Sequence, residues 1–176
     1  MKIKITSCCS LPVDENGYLI EIPEEDMQIP ARAKNACPNC GRTGKSVDGA
    51  TVKSMLSVSL NQIKNSPYYF CQNRDCSTVY FSEDCLQSFD TDEVRERVYQ
   101  KEPDADDVFV CYCFQHTVGE VLNATPNGHT TILDDINAGI KAQQCACNLR
   151  NPQGSCCLGN VRGVIKQAEK SAAVTA

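Results

Sequence analysis

Thirteen cysteines in 176 residues constrain this chain more than any apolar pattern in it. Small lobes short of bulky core residues need a staple, either a disulfide or a metal, and this chain has no Trp, five Phe and six Tyr. Met1 to Ser10 carries Lys2 and Lys4 with no apolar stretch behind them, so no secretory signal is expected. No window approaches the apolar length of a membrane span, so no membrane insertion is expected either. The expected location is cytoplasmic, where thiols stay reduced and clustered cysteines act as metal ligands. An odd total would also leave one thiol over if all the rest were paired.

The formal net charge of −5 argues against a nucleic-acid partner. Such binding rests on clustered Lys and Arg that neutralise phosphates. Here the basic residues are spread thinly, and Glu102, Asp104, Asp106 and Asp107 make one short stretch distinctly acidic.

Three sections follow along the chain. Residues 1–32 hold Cys8 and Cys9 and an acidic segment punctuated by Pro12, Pro23 and Pro30. Residues 33–102 hold five cysteines among β-type runs, and the acidic, Pro-containing 102–107 reads as a linker. Residues 108–170 hold the last six cysteines and three helical patterns, and the small-residue tail 171–176 is expected to fray. Tyr68–Phe70 and Thr78–Phe81 suit strands, and the turn formers between them predict a hairpin. Thr51–Leu56 is a weaker strand candidate. Thr117 and Glu120 form a capping box that opens a helix. Ile132, Ile136 and Ile140 share one face of a second helix starting near Thr131, and Leu158, Val161, Ile165 and Ala168 stripe a third. Gly159 and Gly163, one turn apart, are expected to let another backbone come close. The fold class is therefore α+β: a small β lobe, expected to be stapled by its cysteines, followed by a three-helix lobe with cysteines at its helix ends.

Cys37-Pro-Asn-Cys40-Gly41 is a zinc-knuckle pattern, in which the two-residue spacing brings both sulfurs to one ion and the Gly permits a left-handed turn. Cys71 and Cys76 flank the predicted hairpin turn and complete a four-cysteine set of the structural Zn2+ type. A redox pair at Cys37 and Cys40 would need a helix after the first thiol, and Gly-Arg-Thr-Gly-Lys is not helical. The second set is Cys111-Tyr-Cys113 ahead of the first helix, Cys145-Ala-Cys147 after the second, and Cys156-Cys157 at the start of the third. Thiolates near helix starts and free N–H groups suit an anionic iron–sulfur cluster, while a second zinc also fits four thiolates. Counting does not choose between Cys145 and Cys147, or between Cys156 and Cys157.

Several motifs together carry a resemblance: Cys37-Pro-Asn-Cys40, Tyr69-Phe70-Cys71 with Cys76, Val79-Tyr80-Phe81, Cys111-Tyr-Cys113 and Asn151-Pro-Gln-Gly154-Ser-Cys156-Cys157. The helical part is similar to the [2Fe–2S] module of bacterioferritin-associated ferredoxins. Residues 34 to 160 more closely resemble the amino-terminal zinc/[2Fe–2S] domain of CopZ-type copper chaperones. The resemblance implies Cys37, Cys40, Cys71 and Cys76 as zinc ligands, and Cys111, Cys113, Cys147 and Cys157 as cluster ligands. It also implies a redox-active cluster that supports reduction of Cu(II) to Cu(I), with a copper-exporting ATPase or other metal transporter, or a redox protein, as partner. That family's separate heavy-metal domain carries a Met-x-Cys-x-x-Cys loop. No such loop occurs in these 176 residues, whose one Cys-x-x-Cys is the zinc knuckle.

Five thiols remain. Cys8 and Cys9 are candidates for a soft ion such as Cu(I), whereas Cys85, Cys145 and Cys156 have no assigned role. His116 is either a hydrogen-bond partner of the cluster or an exposed residue at a helix start, and His129 reads as a turn residue. Neither has triad partners, so electron transfer or metal chaperoning is expected rather than substrate turnover. The rival readings are a stand-alone ferredoxin-like electron-transfer module and an iron–sulfur sensor or assembly scaffold.

Overall fold

The computed structural model describes residues 35–125 and 131–174; Cys8, Cys9 and His129 lie outside them. Strands β1 (Lys45–Val47), β2 (Tyr68–Phe70), β3 (Thr78–Ser82) and β4 (Ser88–Asp90) form an antiparallel sheet in that order. The predicted hairpin is β2–β3, with Phe70 opposite Tyr80 and Tyr68 opposite Ser82. β3 is buried along its whole length. That explains why Thr-Val-Tyr-Phe-Ser shows no polar alternation.

Helix α1 (Gly49–Met55) occupies the segment read as a weak strand. Asp48 decides the matter locally, because its Oδ1 accepts from the Ala50 N–H at 2.8 Å and caps the helix. Val52 and Met55 then fall on one buried face, where the β-type composition of the segment serves packing. Together with Leu56, Tyr68, Phe70, Val79, Tyr80, Phe89 and Val98 they make the first core.

A second core lies beyond it. The two-stranded β5 (Phe109–Cys111) and β6 (His116–Thr117) lead into α2 (Val118–Ala124), followed by α3 (Ile132–Lys141), the single turn α4 (Cys147–Arg150) and α5 (Leu158–Val174). The capping box is present as expected: Glu120 N–H donates to Thr117 Oγ1 at 3.2 Å, and Thr117 N–H donates to Glu120 Oε2 at 2.9 Å. Val121, Ile132, Ile136, Val161, Val164 and Ile165 pack together, with Cys111 and Cys157 among them.

Segment 102–107, read as a linker, is held by turns and by ion pairs. Arg97 holds Glu102 and Asp107, and Arg74 holds Asp104. Two further expectations are corrected. Ideal Cβ positions at Gly159 and Gly163 meet nothing within 4 Å, so among the described residues no backbone packs against either glycine. α5 runs to Val174, so most of the small-residue tail is helical. No helix among the described residues is long and apolar enough to cross a membrane.

Gly44 does need its missing side chain. A Cβ there would sit 2.6 Å from Phe81 Cζ and 2.9 Å from Tyr69 Cβ, in a stacked aromatic pair that walls the knuckle. Gly49, in α1, has open space around it. In chemical denaturation of the zinc-loaded chain, Gly44→Ala is expected to cost about 1–3 kcal/mol. Gly49→Ala is expected to be neutral or to stabilise by up to about 1 kcal/mol.

Candidate metal centres

Two hairpin-like turns build the first centre. Residues 35–44 close on themselves: Gly44 N–H donates to Asn35 O at 2.7 Å, Cys37 N–H to Arg42 O at 2.9 Å and Gly41 N–H to Cys37 O at 2.9 Å. Gly41 takes the left-handed φ of +72° that this reversal requires. The β2–β3 connection presents the other two thiols, and Cys71 N–H donates to Val79 O at 2.9 Å. The sulfur atoms of Cys37, Cys40, Cys71 and Cys76 all lie within 4.8 Å of one another, with Cys37, Cys71 and Cys76 buried. Measured separations are 3.9 Å for Cys37–Cys76 and 3.6 Å for Cys40–Cys71. Sulfurs at the corners of a zinc tetrahedron stand about 3.8 Å apart, given Zn–S bonds of about 2.3 Å. These two separations match a zinc tetrahedron, and the four-thiol cage fits a zinc ion.

Protons and charge agree with that fit. Hydrogen bonding with Cys71 pulls Cys37 down to about 5, helped by the N–H groups of Cys40 and Asn39 and opposed by burial. The same bond, with burial, pushes Cys71 up. Burial also raises Cys76. These shifts favour the thiolate at Cys37 and the protonated form at Cys71 and Cys76, whose protons a metal must displace. Lys101 sits beside this cage, a residue that no sequence signal marked. Its Nζ donates to Asn73 O at 2.9 Å and Thr78 O at 2.7 Å, bracketing the turn that carries Cys76, and its charge lowers the Cys71 pKa.

The second constellation is arranged differently. Cys157 Sγ lies 3.0 Å from Cys111 Sγ, and Cys113 Sγ lies 3.6 Å from Cys147 Sγ. Cys111 ends β5, Cys113 sits in the turn to β6, Cys147 opens α4 and Cys157 immediately precedes α5. Among the described residues, the first quartet is the group whose ligand atoms converge on one point, so the second is two pairs rather than a single cage. Backbone donors face the sulfurs: Ala146 N–H donates to Cys113 Sγ at 3.4 Å. Cys111 is drawn to about 7, first by its bond with Cys157 and then, against burial, by the N–H groups of Phe114 and Cys113. Cys147 is raised to about 12 by burial and by Cys113.

The structure thus separates thiols that counting left equivalent. Cys147 and Cys157 lie in the pairs; Cys145, partly buried like Cys147, and the exposed Cys156 do not. Cys85 is partly buried, with its sulfur 4.0 Å from Ala36 O. None of the eleven described cysteines is in a disulfide. His116 Nδ1 lies 4.0 Å from Glu120 Oε2, pairing it with the helix cap.

A sheet closed by a four-thiol cage, joined to helices that collect four more sulfurs, defines a thiolate metal-binding protein. A CopZ-type family model described as a zinc binding domain matches residues 34–95. The copper chaperone CopZ of Archaeoglobus fulgidus is 31% identical over 121 residues, which is 69% of this chain and 57% of that protein. The chain therefore spans little more than half the length of this relative. The X-ray structure of the Archaeoglobus fulgidus CopZ N-terminal domain superposes with a TM-score of 0.60 at 30% identity, covering 73% of this chain and 95% of that one. The chain belongs to the CopZ family, aligned with its amino-terminal domain, and carries the zinc binding domain of that family.

Because metal binds thiolate, zinc uptake must expel the protons of Cys71 and Cys76, so affinity is expected to rise with pH. It is expected to fall more steeply below about pH 5, where Cys37 also protonates. Calorimetric titration in buffers of different ionisation enthalpy measures that proton release. Cys76→Ser is expected to weaken zinc binding by more than the roughly 10–100-fold typical of losing an outer-shell partner, whereas Cys85→Ser leaves it unchanged.

Proposed function

We propose that this chain is a zinc- and [2Fe–2S]-containing metallochaperone-like protein that handles copper or another soft metal. In this reading Cys37, Cys40, Cys71 and Cys76 hold Zn2+ in the β lobe of residues 33–102. Cys111, Cys113, Cys147 and Cys157 hold the cluster in the helical lobe of residues 108–170. The observation that carries it is the pairing of the second four sulfurs. A two-iron rhomb needs two thiolates at each end, which Cys111 with Cys157 and Cys113 with Cys147 supply. A second zinc would call for one compact quartet like the first.

When bound, such a group supplies one electron at a time, which is what reduction of Cu(II) to Cu(I) consumes. The protein's own contribution is uneven enclosure. Cys111 and Cys157 are 0% and 2% exposed, while Cys113 and Cys147 are partly open. Cys113 and Cys147 would therefore hold the side of the group that faces solvent and a partner, while Cys111 and Cys157 would hold its enclosed side. The N–H groups facing Cys111 and Cys113 stabilise negative charge on sulfur and so raise the potential of whatever those sulfurs bind. Cys8 and Cys9, outside the described residues, remain the soft-ion candidates. The Archaeoglobus relative is a copper chaperone, and by extension the partner here is a metal transporter, a copper ATPase among them.

Anaerobic purification followed by metal analysis tests this directly. About two irons and about one zinc per chain are expected, with a rhombic EPR signal after dithionite. Cys113→Ser should remove the iron and its signal while zinc stays bound. Zinc alone, with no iron after reconstitution, overturns the cluster assignment. Anaerobic Cu(I) titration then tests handling, with tight binding expected to vanish in the Cys8→Ser, Cys9→Ser double variant.

A further inference from the structure

The two centres are not mechanically separate. Residues 147–157 carry two of the four sulfurs of the second centre, and side chains of the zinc lobe capture the backbone of that segment. Thr51 Oγ1 donates to Asn148 O at 2.7 Å, Ser54 Oγ to Leu149 O at 2.9 Å and Tyr80 Oη to Pro152 O at 2.6 Å. Lys45 Nζ donates to Ser155 Oγ at 2.6 Å. The segment is fitted as well as tied. Asn151 is 1% exposed, and Gly154, at φ +65°, leaves no spare room beside Thr51, whose Oγ1 a Cβ there would approach to 3.1 Å.

Tyr80 is the most telling of these contacts. Its ring is fully buried in the first core, and its hydroxyl emerges only to meet Pro152 O, midway between Cys147 and Cys157. On β3 it is followed by Phe81, which packs with Cys37, Cys71 and Cys76. Opposite it in the sheet stands Phe70, the residue before Cys71. A continuous run of packed residues therefore joins the zinc cage to the segment bearing the second pair of sulfurs.

We propose that the four-thiolate zinc lobe is the template that positions residues 147–157, with Tyr80 as the positioning residue, so that zinc in the first centre raises retention of the metal group in the second. This rests on the assignment of Cys111, Cys113, Cys147 and Cys157 to a cluster, but its structural half does not need iron. Coupling of this kind is reciprocal, so metal in the second centre likewise slows zinc loss.

The test uses the full chain with zinc bound and no iron, read by amide hydrogen exchange. Tyr80→Phe removes one buried hydroxyl and no ring. It is expected to speed exchange across 147–157 by about five-fold, the effect of one hydrogen bond, with zinc content and exchange of α2 unchanged. Stripping zinc with a chelator should speed exchange across 147–157 by more than that. After reconstitution with iron and sulfide, Tyr80→Phe should lose iron to a chelator about five-fold faster and show a shifted EPR signal. Exchange across 147–157 within about two-fold of the parent in both the variant and the stripped chain overturns the template. Iron loss and EPR identical to the parent's overturn the positioning role of Tyr80. If the parent takes up no iron, the cluster assignment fails, and the exchange measurement alone decides the template.

Discussion

Four sulfur atoms drawn within 4.8 Å of one another are the constraint on which the β lobe depends. Without a metal such a cluster is unfavourable, since thiols are buried with protons to spare and thiolates repel at close range. With a zinc ion the same arrangement joins the 35–44 turn to the β2–β3 hairpin across a long stretch of chain, with Cys40 and Cys71 31 residues apart. The turn brings no strand and no large apolar side chain of its own. It is held by three backbone hydrogen bonds, the Gly41 reversal and the aromatic wall of Tyr69 and Phe81. Metal ligation is therefore folding energy here, and the lysine bracketing the Cys76 turn offsets part of the charge that four thiolates accumulate.

The second centre solves a different problem with the same ligand. Two of its sulfurs come from the β5–β6 hairpin and two from the ends of a single segment that lies on the β lobe. A pocket built this way is only as exact as the docking of that segment. The hydroxyls of Thr51, Ser54 and Tyr80 carry the docking. Burial pushes the Tyr80 pKa up, so its hydroxyl remains a donor throughout the physiological range. Tyr112 does similar work between the cores, donating to Arg97 O at 2.8 Å and accepting from Tyr99 N–H at 2.9 Å. The scarcity of bulky residues is thus met by placing the few tyrosines where ring and hydroxyl are both used.

What is legible in the sequence is local. The Thr117–Glu120 box, the isoleucine face of α3, the hairpin and the Cys-x-x-Cys-Gly knuckle each declare themselves within a short window. α1 reads as a strand because the β-branched Thr51 and Val52 favour strands, although Asp48 ahead of Gly49-Ala50 offers a cap that outweighs them. α4 is one turn long and leaves no period to detect. The preference for Cys157 over Cys156 comes from the family motif, and the contact of Cys157 with Cys111 spans 46 residues. Nothing near Lys101 hints that its ammonium reaches the carbonyls of Asn73 and Thr78.

The contact between Tyr80 and Pro152, 72 residues apart, belongs to the same illegible class and explains most about the architecture. A zinc lobe serving only as a spacer would have no reason to present a buried hydroxyl at the midpoint of a ligand-bearing loop. Nor would it need a helix whose hydroxyls take up the two carbonyls just after Cys147. A redox-inert ion fixes distances without drifting with potential, since zinc has a single accessible oxidation state. In the proposed arrangement the four-thiolate cage would give the segment bearing Cys147 and Cys157 a fixed frame, whatever group those sulfurs hold.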